Sequence, residues 1–111
     1  MVKRMKETID LITLQRDGAT VVLVMAERGA WSADRARLER IQERYNYYLS
    51  FALDGEFRHR YPEHASKPIR IRIDCDAHPD SVSSDFLRRL AQIGEKCGIA
   101  TSIEVDSQYV A

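Results

Sequence analysis

The chain reads as an α/β (α+β) two-layer sandwich in ββαβαβ order: a mixed four-stranded sheet with two helices on one face. Three observations predict this. Residues Val21–Glu27, VVLVMAE, form a short run that is apolar on both faces, the pattern of a central strand. Residues 69–76, IRIRIDCD, alternate apolar and charged with period two, the pattern of a half-buried strand. Two further segments repeat their apolar residues at helical spacing, Leu38, Ile41, Tyr45, Leu49 and Ala52 in one and Phe86, Leu90, Ile93 and Cys97 in the other.

The first strand is expected over residues 8–15, rich in β-formers at Ile9, Leu11, Ile12 and Leu14, and Asp17-Gly18 is a strong two-residue hairpin signal after it. Gly29 ends the second strand. Trp31-Ser32 then opens a helix over about residues 33–54, with Ser32 placed to accept from free N–H groups of the first turn and Asp34 suited to the positive helix end. Glu39, Arg40, Glu43 and Arg44 fall off the apolar stripe and solvate it, and Gly55 is a natural stop. Tyr47 and Phe51 sit four apart on the side opposite the stripe. Either the following segment folds back over them with Phe57 and Tyr61, or they face a partner.

Tyr61-Pro62 and Lys67-Pro68 interrupt regular structure in the next link, which leaves room for a helical turn around residues 56–60. The third strand, residues 69–76, points Ile69, Ile71, Ile73 and Cys75 one way and Arg70, Arg72, Asp74 and Asp76 the other. Pro79-Asp80-Ser81 starts the second helix, which runs to about residue 97 before the Gly98 stop, and Gly94 within it permits close packing. The last strand is residues 99–106, and the tail SQYVA is expected to fray or lie along the surface. Two right-handed crossovers in one direction put both helices on one face. The opposite face is then charged near the third and fourth strands and more apolar near the hairpin, which makes the apolar strip a candidate dimer surface.

Bulk composition narrows the function classes. A chain of 111 residues with 44% hydrophobic and 31% charged residues fits one globular domain, residues 1–111. Seventeen basic and 17 acidic residues cancel, which argues against a dedicated nucleic-acid binder. Cys75 and Cys97 form no CxxC pair, and both fall on expected apolar faces, as buried reduced thiols would in a cytosolic protein. Lys3, Arg4 and Lys6 resemble a signal n-region, but no adequate apolar segment follows, so a soluble cytoplasmic protein without a membrane span is expected.

The segments IDLITL, VVLVMAE, the Trp31 helix start, YLSFALDGEF, YP and KPIRIRIDC carry a resemblance. With them the chain resembles a family of small uncharacterised bacterial proteins, a domain of unknown function, from about Ile9 to Val105. The shared pieces here are Tyr48-Leu49-Ser50-Phe51-Ala52-Leu53-Asp54-Gly55-Glu56 and Lys67-Pro68-Ile69-Arg70-Ile71. The resemblance implies fold and bacterial origin, and it assigns no activity, cofactor or site.

Among constellations that could carry chemistry, DCDAHPD stands first. Asp74 and Asp76 share a strand face, His78 and Asp80 leave the strand end, and Glu104 and Asp106 could lie beside them on the last strand. Carboxylates and an imidazole at the carboxyl ends of parallel strands would suit Mn, Mg or Zn. The simpler account is that Asp74 pairs across strands, Asp76 ends a strand and Asp80 caps a helix. Arg58, His59, Arg60 and His64 with Tyr61 form a small basic-aromatic cluster able to hold phosphate or stack on a base, but Glu56 and Glu63 dilute its charge. Ser81, Ser83 and Ser84 sit at a helix start where capping explains them, no GxSxG elbow exists, and Cys97 lies at a helix C-terminus where the dipole disfavours a thiolate.

The reading is therefore a non-enzymatic binding module without cofactor, homodimeric or bound to another protein, with Tyr47, Phe51, Arg58 and Tyr61 as its surface. The alternative is a metal-dependent hydrolase or nuclease-like enzyme in which Asp74, Asp76, His78 and Glu104 hold an ion that activates water. A weak nucleic-acid accessory acting through residues 58–60 is the third.

Overall fold

Because β2 (Val21–Glu27) is apolar on both faces, it has to be flanked on both edges and covered above and below. The computed structural model, which describes residues 9–32 and 34–105, places it between β1 (Leu11–Leu14) and β3 (Ile69–Cys75). The sheet runs β1-β2-β3-β4, with β4 (Ala100–Val105) at the far edge. β1 is antiparallel to β2; β2, β3 and β4 are parallel. The helices are α1 (Arg35–Leu53), the short α2 (Glu56–Arg60) and α3 (Ser81–Lys96), with a 3-10 turn at Pro62–His64. This is the expected two-layer sandwich, with α2 where a helical turn was expected. The expected first-strand start at Thr8, the helix start at Ala33, Asp106 and the tail SQYVA lie outside the described residues, as do Lys3, Arg4 and Lys6.

One core lies between sheet and helices. β2 gives it Val21, Leu23 and Met25, β3 gives it Ile69, Ile71, Ile73 and Cys75, and α1 gives it Ile41, Tyr45, Tyr48, Leu49 and Ala52. Ile71 and Ile73 are completely buried, each contributing about 1.5–3 kcal/mol relative to exposure.

Local details depart from the expectations for identifiable reasons. Asp17-Gly18 is not a two-residue turn. Gln15 N–H donates to Thr20 O (2.9 Å), so the strands close one pair further out, and residues 16–19 turn with Gly18 at φ 70° and Asp17 Oδ1 accepting from Ala19 N–H (2.9 Å). Helix α1 is capped by Asp34, not Ser32: Asp34 is extended and its Oδ1 accepts from Ala36 N–H at 3.3 Å. On α3, Asp80 caps as expected, accepting from Ser83 N–H at 2.7 Å.

The buried face of α3 is rotated from the expected stripe. Ser83, Leu87, Leu90 and Gly94 face inward, whereas Ile93 is 46% exposed and Cys97 is exposed. Gly94 sets this seat. A Cβ there would collide with the Tyr45 hydroxyl and stand 2.9 Å from Thr101 Oγ1, so the helix docks through the residue with no side chain.

Candidate functional site

The helices pack on one face of the sheet, and the register defines the opposite face in three rows. Leu11 stands beside Val24, Val24 beside Arg72, and Arg72 beside Ser102. On one side of that row run Thr13, Val22, Arg70 and Ala100; on the other run Ala26, Asp74 and Glu104. The β1–β2 half is apolar, with Leu11 53% exposed but Val22 and Val24 buried, and the β3–β4 half is charged. Arg72 Nε donates to Asp74 Oδ1 at 2.7 Å and Nη2 to Oδ2 at 3.0 Å, a two-pronged pair along one strand.

At the carboxyl ends of β2 and β3 this face meets a cleft of about 210 Å³ lined by Asp10, Leu11, Val24, Ala26, Glu27, Arg28, Arg72, Asp74 and Asp76. Beneath the cleft lies an ionic network absent from the sequence reading. Glu27, 8% exposed at the end of β2, pairs with Arg44 through Oε2 and with Arg37 through Oε1 (3.4 Å). Arg44 also donates to Asp10 Oδ2 (2.6 Å) and Ala26 O (3.1 Å), and Asp10 Oδ2 accepts from Ala26 N–H (2.9 Å). Arg37 donates to Ala30 O (2.9 Å) and Arg28 O (3.0 Å) and lies 3.9 Å over the Trp31 ring, while Trp31 Nε1–H donates to Ala77 O (3.1 Å). Arg44 is thus not a solvating residue of the outer helix face. Two signals in the sequence mark this network: a carboxylate ending a doubly apolar strand, and two arginines seven apart on one helix face.

Burial disfavours the Arg44 cation, but Asp10 and Glu27 outweigh it and hold its pKa above the ordinary value. Tyr48 donates to Val24 O (2.9 Å) and accepts from Asp10 N–H (2.9 Å), and burial pushes its phenol up to about 12. Burial, with Glu27 nearby, pushes the Cys75 thiol up to about 11.

The residues singled out from sequence fall in three places. Asp74 is held by Arg72, Asp76 Oδ1 accepts from Gly29 N–H (2.8 Å), and His78 is exposed. Glu104 lies beside Asp74 on the next strand. Among the described residues no group of three or more His, Cys, Asp or Glu side chains is arranged to hold a metal ion. The geometry therefore lends the metal reading of Asp74, Asp76, His78 and Glu104 no support.

The aromatic pair is covered locally. Phe51 is 1% exposed, packed 6.1 Å from Phe57, which stacks 5.3 Å from Tyr61; Tyr47 lies 6.4 Å from Phe51 and is half-buried. Phe51 is thus core and not a docking residue. Arg58 is exposed and its Nε donates to Ala65 O (3.1 Å), and Arg60 pairs with Glu56 (2.8 Å), so both basic groups are tied to their own link.

A family model covering residues 1–107 matches this sequence. The chain belongs to the family of unknown function DUF6572. No curated protein and no solved structure matches it. Membership of DUF6572 assigns no activity, so any function rests on the geometry above. Among the described residues of this DUF6572 chain, no helix is long and apolar enough to cross a membrane.

Proposed function

We propose that the chain is a non-catalytic protein-interaction module that works as a homodimer through the apolar β1 edge of its sheet. One observation carries this reading: the edge strand β1 exposes two large apolar side chains, Leu11 (53%) and Leu14 (40%), beside a sheet face whose β3–β4 half is charged. Asp74 and Asp76 support it indirectly, because each is committed to a structural bond. Neutral net charge fits a protein partner better than nucleic acid, and two free thiols fit the reducing cytoplasm. Nothing in this reading requires a cofactor.

Sedimentation equilibrium tests it. Wild type should self-associate as its concentration rises from about 10 μM to 1 mM, the range expected of a small interface. Leu11→Glu, which places a charge on the apolar half, should shift the equilibrium to monomer. A wild-type chain that stays monomeric throughout would sink the proposal.

A further inference from the structure

We infer that the second copy joins edge to edge, its β1 antiparallel to β1 about a two-fold axis at Thr13, so that two four-stranded sheets become one continuous sheet. This inference rests on the homodimer reading and deepens it by fixing the register.

The backbone of β1 selects that register. Gln15 N–H donates to Thr20 O, so by antiparallel alternation Thr13 and Leu11 also turn their N–H and C=O toward β2. Opposite Leu14, Val21 N–H donates to Pro68 O, away from β1. Ile12 and Leu14 therefore aim their N–H and C=O at the outer edge. Among the described residues no backbone group bonds them there, and the one side-chain contact, Thr13 Oγ1 to Leu14 O, is long at 3.5 Å. The open stretch is bounded at both ends. Asp10 N–H is taken by the Tyr48 hydroxyl at 2.9 Å, and the chain turns at Arg16. An axis at Thr13 sets Ile12 against Leu14 of the second copy, and each copy's open N–H groups meet the other's open C=O groups. An axis at Ile12 would call on the occupied Asp10 N–H, and one at Leu14 on the turned Arg16.

The side chains are self-complementary in the same register. Residues 10–16, DLITLQR, carry an acid at one end and a base at the other, so Asp10 faces Arg16 of the second copy at each end of the pairing. Arg16 is exposed, and among the described residues no salt bridge reaches it. Asp10 uses Oδ2 for Arg44 and Ala26 N–H, which leaves Oδ1 without a partner among them. On the helix side, Ile12 and Leu14 line an open hollow of about 250 Å³ with Val21, Phe57 and Tyr61. The pairing brings the second copy's Leu14 and Ile12 beside them on that side and shields Leu14, 40% exposed in the single chain. So short a pairing is a small interface, of the weak, exchanging class.

Cross-linking in a Cys97→Ser background, which removes the exposed native thiol, tests the register beside sedimentation equilibrium. At the axis Thr13 faces its own copy as a non-hydrogen-bonded pair, with Cα atoms about 4.5 Å apart, a separation that a disulfide spans. Leu11 faces Gln15 of the second copy and stands roughly 13 Å from the second Leu11. In a thiol–disulfide buffer Thr13→Cys should cross-link at least tenfold faster than Leu11→Cys alone, although Leu11 is the more exposed and random collision would favour it. Mixing Leu11→Cys with Gln15→Cys should restore fast cross-linking, which misfolding cannot produce. Arg16→Glu sets acid against acid at both ends and should weaken dimerisation about tenfold. If wild type dimerises but Thr13→Cys is no faster than Leu11→Cys, the mixture stays slow, or Arg16→Glu dimerises as tightly as wild type, the register is wrong while the homodimer reading stands. If wild type never dimerises, the homodimer reading itself falls.

Discussion

The hydroxyl of Tyr45 stands where a side chain on residue 94 would have to be, and it shares a 2.6 Å hydrogen bond with Thr101 Oγ1. This contact joins α1, α3 and the edge strand β4. Alanine normally favours a helix over glycine by about 1 kcal/mol. Here Gly94→Ala should instead destabilise by ~1–3 kcal/mol, because the methyl displaces the phenol. In a Tyr45→Phe background the same substitution should cost at least ~1 kcal/mol less, since the clashing oxygen is gone. Urea denaturation of the four proteins measures this coupling.

Glu27 neutralises two arginines at once. Removing it with Glu27→Ala leaves Arg37 and Arg44 short of their shared anion in a mostly buried site and should cost ~3 kcal/mol, while Glu27→Gln, which keeps the volume and one acceptor, should cost less. Chemical denaturation midpoints at constant slope check the order.

Alkaline pH should unfold the protein earlier than a surface tyrosine would allow. The Tyr48 phenol rises from 10.0 to about 12 on folding. The folded state therefore holds the proton more tightly. The resulting stabilisation is complete below pH 10 and is lost as pH climbs to about 12, amounting to ~2–3 kcal/mol. Cys75, raised from 9.0 to about 11, acts in the same direction from pH 9 upward. Thermal midpoints at pH 8.5 and 11 should fall further in wild type than in Tyr48→Phe, which lacks the titrating group.

The two thiols should differ sharply toward a thiol reagent. Cys97, exposed after α3, should react in the native protein, whereas Cys75, buried on β3, should react only after denaturation. Titration should count one thiol native and two unfolded; two in the native state would contradict the register of β3.

Capping gives a contrast between neighbours. Asp34→Ala should lose ~1 kcal/mol, and Ser32→Ala should change stability by less than ~0.5 kcal/mol, because among the described residues Asp34 is the side chain that bonds the first turn. Thermal unfolding of both variants decides it.

The sheet was legible because its signals are local. The bounds of β2 follow from one apolar run, and the inward set of β3 follows from strict alternation. The seat of α3 was not legible. Its apolar residues span more of the helix than the sheet covers, and the choice among them is made by Gly94, an absence of side chain that hydrophobic periodicity cannot register. The helix start was ambiguous for a similar reason: Ser32 and Asp34 are both good caps, and the backbone decides between them. At the candidate site, the bland assignment of Asp80 to a cap held, and Asp74 found its arginine along its own strand and not across the sheet. The Glu27 network escaped because its ion-paired partners are 10 to 34 residues apart, so no short window of sequence contains an acid beside its base.

Asp10 bears on how the molecule avoids unwanted company. The parallel core strand β2 extends beyond the last residue that β1 pairs, so Ala26 N–H would be an open donor on that rim. The Asp10 carboxylate fills it, and Arg44 holds that carboxylate in place. A stray peptide adding to this rim would have to displace an ion-paired side chain before making its first backbone bond. The overhanging end of the most apolar strand in the fold is thereby closed to amyloid-like growth.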